Sequence, residues 1–183
     1  MATTEHTIND AIAELLRGTR WAWRDSNVIR AESTRLLAGS AGSQPDILIA
    51  EPHTSPVVIE TEVLPATTVE VEAVARLGED LSGSGRTILS SIAVRLPQRF
   101  RGAQGRGLTK AIESANDLDF ALYSGEDAQK FDRYPQSGWL RGGINDLSVL
   151  VQSASMPPLI IEKAADEFEQ GVTQAANLLN EIA

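Results

Sequence analysis

The sequence predicts an α/β sandwich built around a mixed central sheet. Short apolar runs bounded by proline indicate buried strands, and between them lie segments whose apolar residues recur with the period of a helix. The predicted order is helix, strand, strand, strand, helix, strand, helix, strand. A helix between two strands implies a right-handed parallel crossover, and a short turn between two strands implies an antiparallel pair. The sheet is therefore expected to contain both kinds of pairing.

The first half of the chain supplies most of the predicted sheet. Thr7 is expected to cap the first helix, which ends at Gly18 and buries an apolar stripe. Ala38 to Gln44 is small and rich in Gly and Ser, which predicts a turn. The predicted strands are Asn27–Leu37, Asp46–Ala50, Pro56–Val63 and Thr87–Leu96, with a helix from Thr67 or Thr68 to about Leu81 before the last of them.

The second half is expected to be more helical. Its predicted elements are a helix from Leu108 to Ala115, a strand from Leu118 to Tyr123, a loop-like region from Ala128 to Gly143, a helix from Ile144 to Ser153 and a long amphipathic helix from Glu162 to Ile182. The last helix carries Phe168, Val172, Ala175, Ala176 and Leu179 on one face, which could cover the sheet or form a dimer face.

Length and composition bound the class of protein. The 183 residues are enough for one domain, with a core over about 7–123 and a C-terminal helical part over about 124–183. Because the chain stops in a helix, we expect it to be a domain of a larger protein. The absence of cysteine excludes disulfides and thiolate metal sites, and two histidines far apart do not suggest zinc. No apolar run of roughly 20 residues and no signal sequence is present, so a cytoplasmic location without a membrane partner is the expectation.

The net charge of −9 is unevenly distributed. Between Val94 and Lys110 the chain has five cations and no acid, whereas Ala111 to Ala183 has twelve acids against four bases. Local charge patches, more than the total, steer a charged partner. The basic segment is therefore the candidate contact for a DNA backbone, with a solubilising loop as the alternative. Its cations are Arg95, Arg99, Arg101, Arg106 and Lys110.

Three acidic residues lie in the two predicted strands Asp46–Ala50 and Pro56–Val63. Asp46 follows Pro45 at the start of one strand, and Glu60 and Glu62 lie within the next. Alternation along a strand places Glu60 and Glu62 on one face, with Thr61 pointing away. Carboxylates brought together beside apolar residues repel each other unless a cation lies between them. These acids therefore predict a site for a hard divalent metal ion.

The Pro-Asp, hairpin and Glu-x-Glu arrangement resembles the PD-(D/E)xK nuclease superfamily. The resemblance covers about Ile8 to Leu96 and implies a restriction-endonuclease-like, three-layer fold with an αβββαβ core. It also implies that Asp46 and Glu60 bind Mg²⁺, or Mn²⁺ in its place, and that the Thr61 carbonyl is a further ligand. Glu14 would match an extra acid of the first helix. Glu62 occupies the position where the family usually has lysine.

Each of these residues also has an ordinary structural interpretation. Glu60 and Glu62 could lie on an exposed strand face, Asp46 could cap a turn, and Glu14 is typical of an exposed helix position. Arg76 could pair with Glu72 four residues earlier on a helix, or it could face the site and contact phosphate.

The resemblance implies an Mg²⁺-dependent DNA endonuclease of restriction or phage defence, with Asp46, Glu60 and Glu62 as catalytic residues. The alternative is a catalytically degenerate domain of the same fold that binds DNA, forms a homodimer or joins further domains. A carbohydrate hydrolase using paired carboxylates is less well supported, because aromatic residues make up only 5% of the chain.

Overall fold

A computed structural model describes residues 4–18, 28–30, 37–38, 44–51, 54–65, 68–81, 85–102, 106–156 and 169–180. The helices are α1 (Thr4–Arg17), α2 (Val69–Ala75), α3 (Arg106–Ser114), α4 (Ile144–Ser155) and α5 (169–180). The strands are β1 (Val28–Arg30), β2 (Leu37–Ala38), β3 (Ile47–Ile49), β4 (Val57–Val63), β5 (Asp80–Leu81), β6 (Arg86–Thr87), β7 (Ser90–Leu96), β8 (Leu118–Gly125), β9 (Phe131–Tyr134) and β10 (Leu140–Gly142).

The main sheet has seven strands and is mixed, as the sequence predicts. Its order is β1-β3-β4-β7-β8-β10, and β9 pairs with the part of β8 that β10 leaves uncovered. β4 and β7 are parallel and are connected through α2, whereas the other pairs of this sheet are antiparallel. The remaining strands β2, β5 and β6 form a small second sheet.

Helices cover both faces of the main sheet. On one face, side chains of α1, α3 and α4 pack against alternate strand residues such as Ile59, Val94 and Phe120. On the other face, α2 packs over Ala93 and Ala121. The alternation along each strand therefore sorts the side chains into two cores, and the α/β sandwich is confirmed.

The predicted helix from Thr67 or Thr68 to Leu81 is too long. It ends at Ala75, and Gly78 then adopts a positive φ of 88°, which a side chain would oppose. A Cβ at Gly78 would also lie 2.7 Å from the Glu126 carbonyl oxygen. The chain reverses here to form β5.

Two predicted strands are divided in the structure. Asn27–Leu37 contains β1 of the main sheet and the first residue of β2 of the small sheet, and residues 31–36 lie outside the described part. Thr87–Leu96 is likewise divided between β6 and β7. Local sequence indicates strand propensity, but it does not specify which sheet supplies the partner.

The predicted loop from Ala128 to Gly143 is wrong, because it contains β9 and β10. Both strands are short, and their side chains are mostly exposed, so they lack the apolar pattern that reveals a buried strand. They form because β8 offers them an edge to pair with.

The C-terminal helix is described over 169–180, and every one of those residues is exposed. Val172, Ala175, Ala176 and Leu179, which the sequence places on one apolar face, are therefore in contact with solvent and do not cover the sheet, and Phe168 lies outside the described residues. Across the described ranges, no helix combines the length and the hydrophobicity needed to span a bilayer.

Candidate metal-binding site

The β3–β4 hairpin brings two of the predicted acids together at its open end. Ile47 of β3 is paired with Ile59 of β4, so Asp46 and Glu60 are neighbours across the two strands. The Asp46 amide lies 3.4 Å from Glu60 Oε2 and donates a hydrogen bond to it. This adjacency agrees with the sequence interpretation, and their role as metal ligands stays a prediction.

Glu60 is a buried acid paired with a buried base. Its side chain is on the α2 face of the sheet, and the residue is only 3% exposed. Arg76 Nε lies 2.5 Å from Glu60 Oε1, and Arg76 Nη2 donates a 2.9 Å hydrogen bond to the Gln44 carbonyl oxygen. Burial and the nearby charge of Asp46 raise the pKa of Glu60 to about 8, even though Arg76 acts to lower it.

Of the two positions that the sequence suggested for Arg76, the structure has the one that faces the site. It follows the last turn of α2 and is turned toward the sheet, where it is 5% exposed and forms ion pairs with Glu60 and Glu79. Glu72, its expected helix partner, is exposed. The buried carboxylate of Glu60 draws the guanidinium inward, because an unpaired buried charge is costly. Arg76 is therefore a partner of the site's acid, and its contact with phosphate stays a prediction.

Asp46 is half-buried and is held by the strand residue between the two glutamates. Its Oδ2 accepts hydrogen bonds from the Thr61 amide at 2.9 Å and from the Thr61 hydroxyl at 3.2 Å. The Thr61 hydroxyl also hydrogen-bonds to Asn9 of α1. Thr61 thus points away from the Glu60 face, as alternation predicts, and its amide and hydroxyl position the Asp46 carboxylate.

Asn9 is the residue of this site that the sequence interpretation missed. It is 1% exposed and lies on the buried face of α1 beside Ile12 and Leu16. A signal was present, because Asn9 is three and seven residues before these apolar positions and so shares their face. A polar residue on an apolar helix face needs a buried partner, and Thr61 is that partner.

Glu62 shares the Glu60 face but serves a different element. Its Oε2 accepts hydrogen bonds from the backbone amides of Thr68 at 3.1 Å and Val69 at 3.0 Å. The Thr68 side chain forms no cap hydrogen bond, so Glu62 satisfies the first amides of α2. The carboxylate also lies at the positive end of the helix dipole. In this arrangement Glu62 caps α2, and its role as a metal ligand stays a prediction.

Glu14 lies away from the two acids. It is exposed and borders a pocket between α1, α3 and α4 that Glu113 and Asn116 also line. Five residues separate it from Asn9, and this spacing corresponds to a rotation of about 140° around the helix. The structure therefore does not bring Glu14 to the candidate site.

The predicted DNA-contacting cations are largely engaged within the protein. Arg95 pairs with Asp119 at 2.8 Å, and Arg99 binds both oxygens of Asp117 at 2.5 and 2.6 Å. Arg101 donates to the carbonyl oxygens of Val63 and Leu64. Lys110 is exposed, and the Arg106 side chain lies outside the described residues. A contact between DNA and these residues would have to use N–H groups that do not take part in the contacts within the protein.

Two carboxylates can be enough to hold a hydrated divalent cation. Within the described ranges, no three His, Asp or Glu side chains are grouped as metal ligands. Mg²⁺ does not require such a group, since it commonly binds through one or two carboxylates, several waters and substrate phosphates. The repulsion between Asp46 and Glu60, which contributes to the raised pKa of Glu60, is the feature that a cation would relieve.

Comparison of the chain with protein-family models, with curated proteins and with solved structures gave no match.

Proposed function

We propose that the protein is a Mg²⁺-dependent DNA endonuclease in which Asp46 and Glu60 hold the metal ion and Mn²⁺ can replace it. The observation that carries the proposal is the convergence of these two acids at the open end of the β3–β4 hairpin. When the small sheet of β2, β5 and β6 is left out, the order is α1, β1, β3, β4, α2, β7, which is the helix and strand order that the family resemblance implies and so supports the proposal. A role in restriction or phage defence rests on that resemblance alone.

The residues around the pair have distinct tasks in this proposal. Thr61 orients the Asp46 carboxylate, and Arg76 holds Glu60 through Oε1, leaving Oε2 on the side of Asp46. When bound, Mg²⁺ would polarise the scissile phosphate and lower the pKa of a coordinated water. Glu62 contributes indirectly, because it anchors the start of α2, the helix that Arg76 follows.

Cleavage of plasmid DNA with Mg²⁺ or Mn²⁺ tests the proposal. Asp46→Asn keeps the size of the side chain and should lower the cleavage rate by about a hundredfold or more, since a neutral amide is a poor ligand. Asp132→Asn is the matched control, because Asp132 is an exposed acid on β9. Equal rates for both variants would refute the assignment of Asp46.

Metal binding can be measured without activity. Added Mn²⁺ should raise the melting temperature of the wild-type protein and of Asp132→Asn, because a ligand that binds the folded state stabilises it. The shift should be absent in Asp46→Asn and Glu60→Gln. A shift that persists in both variants would place the metal elsewhere.

The second candidate is a catalytically degenerate domain that binds DNA or mediates assembly. Glu60 forms an ion pair with Arg76, and Glu62 accepts a hydrogen bond from an amide at the positive end of the α2 dipole. These contacts favour the second candidate, because both acids are already stabilised without a metal ion. Under this alternative the wild-type protein would show neither a Mn²⁺-dependent melting shift nor cleavage. Metal-dependent cleavage that is lost in Asp46→Asn would exclude it.

A further inference from the structure

Four neighbouring strands carry a row of charged residues of alternating sign. Glu62 of β4 is in register with Arg95 of β7, Arg95 with Asp119 of β8, and Asp119 with Arg141 of β10. Residues in register on adjacent strands project from the same face of a sheet. Because Glu60 is two residues before Glu62, this row begins beside the candidate metal site and continues across the sheet.

A single buried carboxylate holds both arginines of the row. Asp119 Oδ2 accepts from Arg95 Nη2 at 2.8 Å, and Asp119 Oδ1 accepts from Arg141 Nε at 3.0 Å. The Asp119 side chain is 5% exposed, whereas Arg141 is 68% exposed. The three side chains carry a net charge of +1, and what they present to solvent is guanidinium and not carboxylate.

The two guanidinium groups keep donors that the described residues do not use. Arg95 lies with its guanidinium carbon 3.8 Å from the centre of the Trp139 ring, which fixes its plane. Its Nε has no hydrogen-bond partner among the described residues, but that atom is buried and is not a donor that a phosphate from solvent can reach. In Arg141, only Nε forms a hydrogen bond within the described part of the chain, so both terminal amino groups remain available. Fixed guanidinium donors of this kind suit a phosphate group.

The row lies within reach of a duplex bound at the candidate metal site. From the spacing of strands and residues in a sheet, the backbone position of Glu60 is about 8 Å from that of Arg95 and about 16 Å from that of Arg141. One turn of duplex DNA spans roughly 34 Å. A duplex with one phosphate at Asp46 and Glu60 that runs along this row would pass Arg141 within about half a turn.

We infer that Arg141, together with Arg95, binds a backbone phosphate of duplex DNA, and that Asp119 is the positioning residue for both arginines. This inference rests on the proposed function for its partner, because the phosphate it binds belongs to the DNA that the candidate site would cut. It assigns DNA binding to Arg141, which the basic segment from Val94 to Lys110 does not include.

The test measures binding of a short fluorescein-labelled, mixed-sequence DNA duplex by fluorescence anisotropy with EDTA present, so that no cleavage occurs. Arg141→Gln should weaken binding by about tenfold, the loss expected for a charge-assisted contact to phosphate. It should also reduce the dependence of the logarithm of affinity on the logarithm of salt concentration by about one unit. Lys130→Gln, at an exposed position beyond the far end of β8, is the control of equal charge and should bind nearly as the wild type does.

A second pair of variants separates positioning from net charge. Arg141→Lys keeps the charge but loses the planar fork, so its affinity should fall between wild type and Arg141→Gln. Asp119→Asn removes a negative charge, which by electrostatics alone would tighten binding. If Asp119 positions the arginines, binding should weaken instead, and thermal unfolding of the variant establishes that it is folded.

Three results would overturn the inference: wild-type protein that does not bind the duplex, equal binding by Arg141→Gln and Lys130→Gln, or tighter binding by folded Asp119→Asn. Because EDTA removes divalent metal, binding is measured independently of cleavage. Binding that depends on Arg141, in a protein that cuts no DNA with Mg²⁺ or Mn²⁺, would support this inference and reject the endonuclease.

Discussion

At the scale of the residue, Glu60 is the acid whose chemistry depends most on its surroundings. A carboxylate that is 3% exposed loses most of its hydration, and the nearby Asp46 adds like-charge repulsion. Arg76 offsets part of this cost through the 2.5 Å ion pair. The pKa of Glu60 rises from 4.5 to about 8, so without a cation the folded protein binds its proton more tightly than the unfolded chain does.

This difference predicts a pH dependence of stability. Below pH 4.5 Glu60 is protonated in both states and its contribution is fully present. As pH rises from 4.5 to about 8, the unfolded chain loses the proton first, and the free energy of unfolding should fall by up to about 1.4 kcal/mol per pH unit. Glu60→Gln, which cannot ionise, should remove this slope, so its stability relative to wild type should increase with pH.

Urea denaturation with chelator at several pH values between 5 and 8 measures the effect. Glu72→Gln serves as the control, because Glu72 is an exposed acid on α2 and its removal should leave the slope unchanged. Parallel pH profiles for wild type and Glu60→Gln would show that Glu60 ionises normally in the folded protein.

At the scale of the element, α2 depends on a residue outside it. The helix has seven residues, and its N-cap Thr68 supplies no side-chain acceptor. Glu62, from the preceding strand, accepts from the Thr68 and Val69 amides instead. Because Arg76 follows the end of α2, the cap at the beginning of the helix helps to maintain the ion pair with Glu60 at its end.

Removing this cap should be costlier than removing an ordinary surface acid. Glu62→Ala is expected to lower the free energy of unfolding by about 1 kcal/mol, the typical loss for an N-cap acceptor. Glu72→Ala, also in the first turn of α2 but exposed, should cost clearly less. Chemical denaturation of the two variants side by side provides the measurement, and equal losses would mean that the capping hydrogen bonds contribute nothing.

At the scale of the whole molecule, the described core is complete without the last helix. The two large apolar clusters draw on the main sheet and on α1 to α4, and no residue of 169–180 belongs to either. Val172 and Leu179 are 53% and 68% exposed. Little apolar area is therefore removed from water by α5.

Ending the chain after Phe168 should accordingly leave the melting temperature within about 2 °C of the full-length value at low protein concentration, as expected for a segment that buries little. Differential scanning calorimetry provides the comparison. A shortened chain that melts much earlier would mean that α5 packs against a partner surface, and sedimentation of the full-length protein would then show whether that surface is a second copy.

Much of the architecture was predictable from local sequence. The β3–β4 hairpin, β8, α3 and α4 lie close to where apolar periodicity and punctuation by Pro and Gly predict them. The proximity of Asp46 and Glu60 was also predictable, since a hairpin with alternating residues brings these positions together. Strands β9 and β10 were not predictable, because their own sequences lack a strand pattern and they are strands only through their pairing with β8.

By itself, the sequence determined the mixed α/β class and the placement of two acids at the open end of one hairpin, because both follow from periodicity and short connections. Only the tertiary structure decided the partners of the charged side chains: Arg76 is drawn in to Glu60, Glu62 turns to α2, Asn9 supports Thr61, and Asp119 joins Arg95 to Arg141. The physical reason is that a charge or polar group on a buried face must be satisfied by whatever group packing brings near it, and those groups are distant in the chain.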